Sequence, residues 1–465
     1  MVFSSIVSEG DSFTLTGVTH GSNGLVKSFL GTINASGVLD EVLVVNDSDA
    51  FAYKVFCNSL LRTQTGYAFT GYAYDTAKYL ILGLADTLLG NVRVFKYYTP
   101  NTFAFQGFGL VIKEGYYYVS GVLTEYTSGD ANAFLVKIDT AGNRLWQKKY
   151  GLANWQESSL SLAELNNGHL MIGAERQNPS NVREIANTWL IEVDTNGNVA
   201  RQWLDNSDST YAAYGLRQTP DGGFVYGCQK KAIQITSTIA YENAITKLSP
   251  NFTKQFVYTE GQRSVSNGVT DIELTPDGNI IACGHIRSLF YDTAIFYGWV
   301  IKMDMQGNRI WSNCYTAVNA ANTYNYLYDV DVLPGGDIIA VGECQPSTGF
   351  YPQLGWFLKL NSEGCELESC LVGIDELQPI VTSAVKINLY PNPAQGLITF
   401  DYENMPENSR LMVTDLLGQV ITTLPLASAY GTYTLNTGNY PNGVYLLSAE
   451  ADGKVLLKQK FIVLK

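Results

Sequence analysis

Histidine is scarce in this chain. Only His20, His169 and His285 occur in 465 residues, and none has a second histidine or a cysteine at ligand spacing. A zinc site or a histidine-based catalytic triad is therefore not expected. No G-x-S-x-G, H-E-x-x-H or P-loop signature is present. No apolar run reaches the ~18 residues that a membrane-spanning helix needs. Basic residues are in deficit, with 30 Lys and Arg against 43 Asp and Glu. Nearly all of the net charge of −13 lies in residues 1–386, because 387–465 hold five basic and six acidic residues. That balance opposes binding to nucleic acid or to an anionic membrane surface.

Cysteine is also sparse, seven residues with no metal spacing. Cys365 and Cys370 flank four residues and could close a small loop, which would suit an oxidising compartment. Cys228, Cys283 and Cys344 sit beside the same glycine of different repeats at unequal offsets, and are expected to be buried free thiols. No secretory leader is visible: Met1–Ser8 lacks a basic region and a long apolar core, and reads as a strand.

What the chain has in quantity is glycine and tyrosine, 43 and 30 residues, with 46% hydrophobic content and only 16% charge. This describes a folded protein of many short strands and tight turns, large enough for more than one domain. The first 373 residues repeat. Each unit carries an apolar strand ending in a turn, as in Ala133–Asp139 followed by Thr140-Ala141-Gly142-Asn143, then a further strand such as Arg144–Gln147. Equivalent turn positions are Asn34, Asp86, Asp139, Asp194, Ser249, Asp304 and Asn361, at intervals of 52 to 57 residues. Gly37, Gly142, Gly197, Gly307 and Gly364 follow three residues on; Gly90 is one late, and Phe252 replaces glycine in the fifth unit. The first half of each unit is another hairpin, marked by Asp277-Gly278 or Gly335-Gly336 between alternating runs. Four strands per unit in seven units predict a seven-bladed β-propeller over 1–373, its first strand near Phe3–Ser8 and its last near Glu366–Val372. Both ends fall in phase, so the ring is expected to close without exchanging a strand. The pattern resembles SBBP-type and related secreted propeller repeats, which implies a fold and no activity.

Alternation assigns faces. Trp189, Ile191 and Val193 share one face of a strand, while Lys137, Glu192, Lys247, Lys302 and Lys359 take the opposite face at one repeat position and read as solvated charges. Trp146 and Trp311 are expected between neighbouring blades. Tight turns fall on one side of the domain, and longer irregular loops on the other: Leu123–Ala133, Arg176–Thr188, Lys230–Asn243, Arg287–Gly298, Thr316–Asn325 and Gln345–Gly355. Binding is expected on that irregular face. Three of its loops carry aromatic pairs, Phe290 with Tyr291, Tyr324 with Tyr326, and Phe350 with Tyr351, which suit a sugar or peptide ligand. Against this, Tyr324, Tyr326 and Tyr328 continue in phase with Val330 and Val332, and could simply begin a strand. Asn46–Asp49 and Asp205–Asp208 alternate oxygen donors that could wrap Ca²⁺, but read as polar turns without the closing residues of an EF-hand; no cofactor is expected. The spacing of Asp139, Gly142 and Trp146 fits neither a sialidase Asp box nor a quinoprotein repeat.

Residues 374–386 read as a linker to a small domain at 387–465. Pro391 and Pro393 remove ladder donors and suit an edge strand. Asp415 to Gly418 reads as a turn between Leu411-Met412-Val413 and Val420-Ile421. Tyr445, Leu447 and Ala449 alternate with Leu446, Ser448 and Glu450 as a strand. The ordered set Pro391-Asn392-Pro393, Asp415 and Gly418, Gly443 and Tyr445, and the terminal Lys465 resembles the type A C-terminal sorting domain of bacterial type IX secretion cargo. The resemblance implies an immunoglobulin-like β-sandwich, handling by the type IX machinery, and a secreted or outer-surface location. Such cargo first crosses the inner membrane on a leader, so the sequence is expected to be that of a mature protein or a truncated reading frame. Asp75-Thr76-Ala77, Asp86-Thr87-Leu88 and Asp292-Thr293-Ala294 resemble O-glycan acceptors of bacteria with this route.

The expectation is therefore an all-β protein, a seven-bladed propeller and a small sandwich, exported and binding a glycan or protein through its long-loop face. The alternatives are a propeller hydrolase or lyase acting on polysaccharide, and a structural surface component.

Overall fold

In the computed structural model every regular element is a β-strand. The structure describes all residues except 1, 11, 21–25, 35–38, 46–51, 75–76, 178–185, 206–209, 236–237, 262–266, 289–294, 319–322, 346–352, 367–385, 407, 416–419, 427, 452–453 and 465. Among the described residues no helix is long and apolar enough to cross a membrane. The chain divides into two compact units, Met1–Cys370 and Leu371–Lys465.

In the first unit the strands pair in chain order as antiparallel meanders. β1 (Val2–Glu9), β2 (Ser12–His20), β3 (Val26–Ile33) and β4 (Leu39–Val44) form the first. β5 (Ala52–Thr63), β6 (Gly66–Tyr74), β7 (Lys78–Asp86) and β8 (Val92–Tyr97) form the next. Then come β9 (Thr102–Lys113), β10 (Tyr116–Glu125), β11 (Ala131–Ile138) and β12 (Arg144–Tyr150). β13 (Gln156–Glu164), β14 (Leu170–Gln177), β15 (Asn187–Val193) and β16 (Val199–Leu204) follow. After them are β17 (Thr210–Gln218), β18 (Phe224–Ile235), β19 (Thr238–Leu248) and β20 (Lys254–Glu260). The series continues with β21 (Gly268–Leu274), β22 (Ile280–Ser288), β23 (Ile295–Met303) and β24 (Arg309–Tyr315). It ends with β25 (Tyr324–Val332), β26 (Ile338–Gln345) and β27 (Leu354–Leu360). The arrangement is all-β and propeller-like. Of the strand expected at Glu366–Val372, only Glu366 is described, and residues 367–372 lie outside the described residues.

The repeated turn explains its own sequence. Asp139 Oδ1 accepts from the backbone N–H of Ala141 and Asn143 at 2.9 and 2.8 Å, and Asn143 Nδ2 donates to Oδ2 at 2.9 Å. Asp194 and Asp304 do the same for Asn198 and Asn308. The glycine of this turn has a second duty. Gly142 adopts φ +88°, and a methyl group there would lie 2.1 Å from the ring of Phe95 on β8 of the preceding meander. Gly197, Gly307 and Gly364 likewise back onto Trp146, Phe256 and Trp311. Tyr97, Tyr150 and Tyr315 donate their hydroxyls to the carbonyls of Gly142, Gly197 and Gly364. Where the fifth unit lacks glycine, Phe252 takes the left-handed conformation at φ +64° and stacks on Trp203. In the second unit Leu89, not Gly90, is the left-handed residue.

Two expectations are corrected. The charges opposite the core-facing residues are not all solvated: Glu192, Lys247 and Lys302 are buried. Lys302 Nζ reaches Asp277 Oδ2 at 2.9 Å, Lys247 Nζ reaches Asp221 Oδ2 at 2.5 Å, and Glu192 accepts from Arg201 and pairs with His169. Each lysine stem is covered while its charged end meets an acidic turn residue, which alternation alone does not show. The segment Lys230–Asn243 is not an irregular loop. β18 and β19 continue as a ladder through it, with Lys230 opposite Glu242 and Ile235 opposite Thr238.

The first meander packs on the last. Phe3, Ile6, Phe13 and Phe29 share an apolar cluster with Leu333, Ile339 and Val341. At that seam Asp329 Oδ2 accepts from Ser5 Oγ at 2.7 Å and from the Ile6 N–H at 2.8 Å. Asp331 Oδ2 accepts from the Ser8 N–H at 2.9 Å. Other first strands are tied similarly, Lys113 to Glu164 and Arg217 to Glu273 among them. Cys228, Cys283 and Cys344 are buried free thiols as expected. Cys365 is disulfide-bonded, and Cys370 lies outside the described residues.

The second unit has two sheets around one apolar core. β28 (Lys386–Tyr390), β29 (Leu397–Glu403) and β32 (Gly431–Asn436) form one sheet. β30 (Arg410–Asp415), β31 (Val420–Pro425), β33 (Gly443–Ala451) and β34 (Lys454–Val463) form the other, in the order β31-β30-β33-β34. Ile398 and Phe400 of the first meet Leu411, Val413, Leu447, Phe461 and Val463 of the second. Tyr445, Leu447 and Ala449 all face this core, as their alternation predicts.

Candidate functional site

Of the six aromatic residues expected to bind a ligand, the structure describes Tyr324 and Tyr326; Phe290, Tyr291, Phe350 and Tyr351 lie outside the described residues. Both described tyrosines begin β25. They begin a strand, as their phase with Val330 and Val332 allowed, but that phase is interrupted at a β-bulge. Leu327 pairs with Gly342 and Asp329 with Val341, which leaves Tyr328 as the extra residue. Across that irregularity Leu327 and Val330 join the same apolar cluster, although three residues apart. Tyr324, Tyr326 and Tyr328 therefore stand on the other face from Val330, with Tyr324 38% exposed.

A parallel bridge brings their neighbours in. Phe296, at the start of β23, pairs with Tyr324, its N–H donating to the Thr323 carbonyl at 2.9 Å. Asn325 Nδ2 returns a bond to the Phe296 carbonyl at 3.0 Å. The rings of Phe296 and Tyr324 stack with centroids 5.0 Å apart. Tyr326 lies 5.4 Å from Phe296 and 6.4 Å from Tyr328, stacked on the latter. His285 of β22 meets Tyr326 edge-on at 4.6 Å. Its imidazole fits because Gly268 on β21 has no side chain: a methyl group there would lie 2.8 Å from His285 Cε1. Arg287 lies over Phe296, 5.2 Å from the ring centre.

The chemistry of this cluster follows from its enclosure. Burial pushes the His285 pKa down to about 4, so the imidazole is neutral under ordinary conditions. Burial, reinforced by Tyr324 and Glu343, holds the Tyr326 phenol well above its usual range. Tyr328 donates its hydroxyl to Glu343 Oε1 at 2.7 Å. The result is a ladder of flat rings with neutral polar edges and one guanidinium. Sequence reasoning did not find His285, Phe296 or Arg287. Their one signal, a strand-pair register between neighbouring meanders, is not readable without the fold.

The other described candidates are engaged structurally. A cavity of about 580 Å³ is lined by first strands of the meanders, including Leu60, Leu110, Leu162, Leu216 and Asp329. Its Glu164, Arg217, Glu273, Asp329 and Asp331 are those of the inter-strand ties described above, and its Arg62 pairs with Glu9. Of the two loops considered for calcium, Asn46–Asp49 and residues 206–208 lie outside the described residues; Asp205 is buried and pairs with Lys254 at 2.7 Å. No metal-binding group of His, Cys, Asp or Glu occurs among the described residues.

In the second unit Asn392 clasps the chain end. Its Oδ1 accepts from the Ile462 N–H at 2.8 Å, and the Ala394 N–H donates to the Ile462 carbonyl at 2.7 Å. The Leu464 N–H then donates to the Ala394 carbonyl at 3.0 Å. Pro391 and Pro393, both preceded by cis peptide bonds, flank this clasp. Tyr445 packs on Phe461 and donates its hydroxyl to the Pro441 carbonyl. Gly443 opens β33 opposite Val463. Asp415 ends β30, and Gly418 and Lys465 lie outside the described residues.

Residues 388–464 match the family described as the secretion system C-terminal sorting domain. A tail of this kind marks proteins exported by type IX secretion, and it places this protein at the cell surface or outside the cell. No curated protein matches the chain by sequence. Among solved structures, the chain is similar to a puromycin hydrolase at 10% identity and TM-score 0.48, over 88% of this chain and 59% of that one. An ulvan lyase, described as a new family of polysaccharide lyase, aligns at 8% identity and TM-score 0.48 over 78% of this chain and 92% of that one. PorZ, a surface component of the type IX secretion system of Porphyromonas gingivalis, aligns at 10% identity and TM-score 0.27 over 99% and 75%. The chain thus spans 59% of the length of the puromycin hydrolase.

Proposed function

We propose that residues 1–373 close into a seven-bladed propeller that type IX export delivers to the cell exterior, where it binds a glycan. Closure is supported by the seam between β1 and β25 and by a central cavity lined by first strands of every meander. The binding reading rests on one observation. Tyr324, Tyr326 and Tyr328 face away from the core across a bulge, and Tyr324 stands 38% exposed on the Phe296 ring. Stacked rings with polar edges suit the apolar faces and hydroxyls of sugars.

A glycan array on the exported protein, compared with Tyr324→Ala, tests this. Loss of one stacking ring is worth ~0.5–1.5 kcal/mol, so affinity should fall several-fold with the fold intact. Turnover of a bound polysaccharide would replace binding by catalysis. Absence of any glycan binding would leave a structural surface role.

A further inference from the structure

We infer that the glycan bound at this aromatic site is anionic, a sugar bearing a carboxylate or a sulfate that docks on Arg287. This rests on the glycan-binding reading above and adds the charge of the ligand. The Arg287 side chain lies over Phe296 and has no carboxylate partner among the described residues. Its Nε is enclosed and lacks any acceptor. Glu343, the described acid of the cluster, accepts from the Tyr328 hydroxyl. His285, its ring centre 5.9 Å from that of Phe296, likewise has an enclosed Nδ1 with no hydrogen-bond partner.

Two polar nitrogens without a hydrogen-bond partner therefore belong to one aromatic cluster, whereas most buried polar groups find partners. Other part-buried arginines have a carboxylate beside them: Arg176 Nε lies 3.1 Å from Glu157 Oε1, though without a hydrogen bond, and Arg217 pairs with Glu273 at 2.6 Å. Among the described residues no carboxylate pairs with Arg287, so its guanidinium charge favours an anion there. A guanidinium presents paired N–H donors that match the geometry of a carboxylate or sulfate, while Tyr324 and Phe296 offer the sugar ring a flat face. His285, being neutral, can donate or accept a hydrogen bond without competing for the negative charge.

Isothermal titration of the full chain with polygalacturonate, dextran sulfate and uncharged dextran tests the inference. One or both charged polymers should bind at least about tenfold tighter than dextran, and their affinity should fall as salt rises. The two charged arms separate carboxylate from sulfate recognition. Arg287→Met keeps bulk against Phe296 and should lower affinity for the charged polymer about ten- to a hundredfold, with the melting temperature unchanged. Arg287→Lys, which keeps the charge but loses the paired donors, should fall between. Equal binding of neutral and charged polymers, unaffected by either variant, overturns the inference and leaves the glycan-binding reading standing. Failure to bind any polymer, alongside a glycan array on which nothing binds, removes both.

Discussion

Asp329→Asn is expected to flatten the dependence of the first unit's stability on pH. Asp329 is buried at the seam between β25 and β1, where its Oδ2 accepts from Ser5 Oγ and the Ile6 N–H. The Asp271 carboxyl lies beside it, accepting from the Val330 N–H at 3.2 Å and standing 3.8 Å from Arg217 Nη2. Burial raises the pKa of both carboxyls, and the neighbouring Asp271 charge raises Asp329 further. Arg217 favours the charge on Asp271, so the shared proton resides on Asp329. The unfolded chain releases that proton near the ordinary carboxylate pKa of about 4, whereas the folded protein keeps it to higher pH. The folded state therefore binds more protons, and stability falls as pH rises from about 4 towards the raised folded value. One proton held in the folded state and released in the unfolded one corresponds to about 1.4 kcal/mol per pH unit over the window in which the two states differ. An asparagine keeps the shape: its carbonyl takes the Ser5 and Ile6 donors and its amide donates to Asp271 at any pH. Glu273, paired with Arg217, and Asp331, whose raised pKa acts in the same direction, remain in both proteins. All seven tryptophans precede residue 371, so urea unfolding followed by tryptophan fluorescence reports the first unit alone. An unchanged pH slope in the variant would falsify the shared proton.

Gly142→Ala should destabilise the first unit by about 1–3 kcal/mol, because the new methyl meets Phe95 in a left-handed backbone; an unfolding midpoint equal to wild type would contradict the fit. Asn392→Ala should speed amide exchange at Ile462 and lower the export of the protein, since the side chain caps that N–H; unchanged exchange would show the clasp to be incidental. Deleting Lys454–Lys465 removes Phe461 and Val463 from the sandwich core, so the truncated protein should stay inside a cell with the type IX apparatus; normal surface display would sink the sorting role. Lys302→Met should be nearly neutral, because a buried stem is kept while the exposed end of its pair with Asp277 is lost; a loss above about 2 kcal/mol in unfolding free energy would assign the ion pair a larger part.

Local chemistry made the repeats readable in one dimension. An aspartate that caps its own turn, a glycine forced to positive φ, and a two-residue alternation are properties of adjacent residues, so Asp139, Asp194 and Asp304 announce their turns without any fold. The same holds for the sorting tail, where Tyr445, Leu447 and Ala449 declare the buried face of a strand. Contacts between distant residues have no such signature. That Gly142 also makes room for Phe95, that Lys302 is covered, and that Lys230–Asn243 continues a ladder all depend on neighbouring meanders. The candidate site shows the division most clearly. Composition named Tyr324 and Tyr326, but a single bulged residue, Tyr328, decided which way they face. Only the pairing of β23 with β25 set them against Phe296, Arg287 and His285, because a ladder register is a relation between strands far apart in the chain.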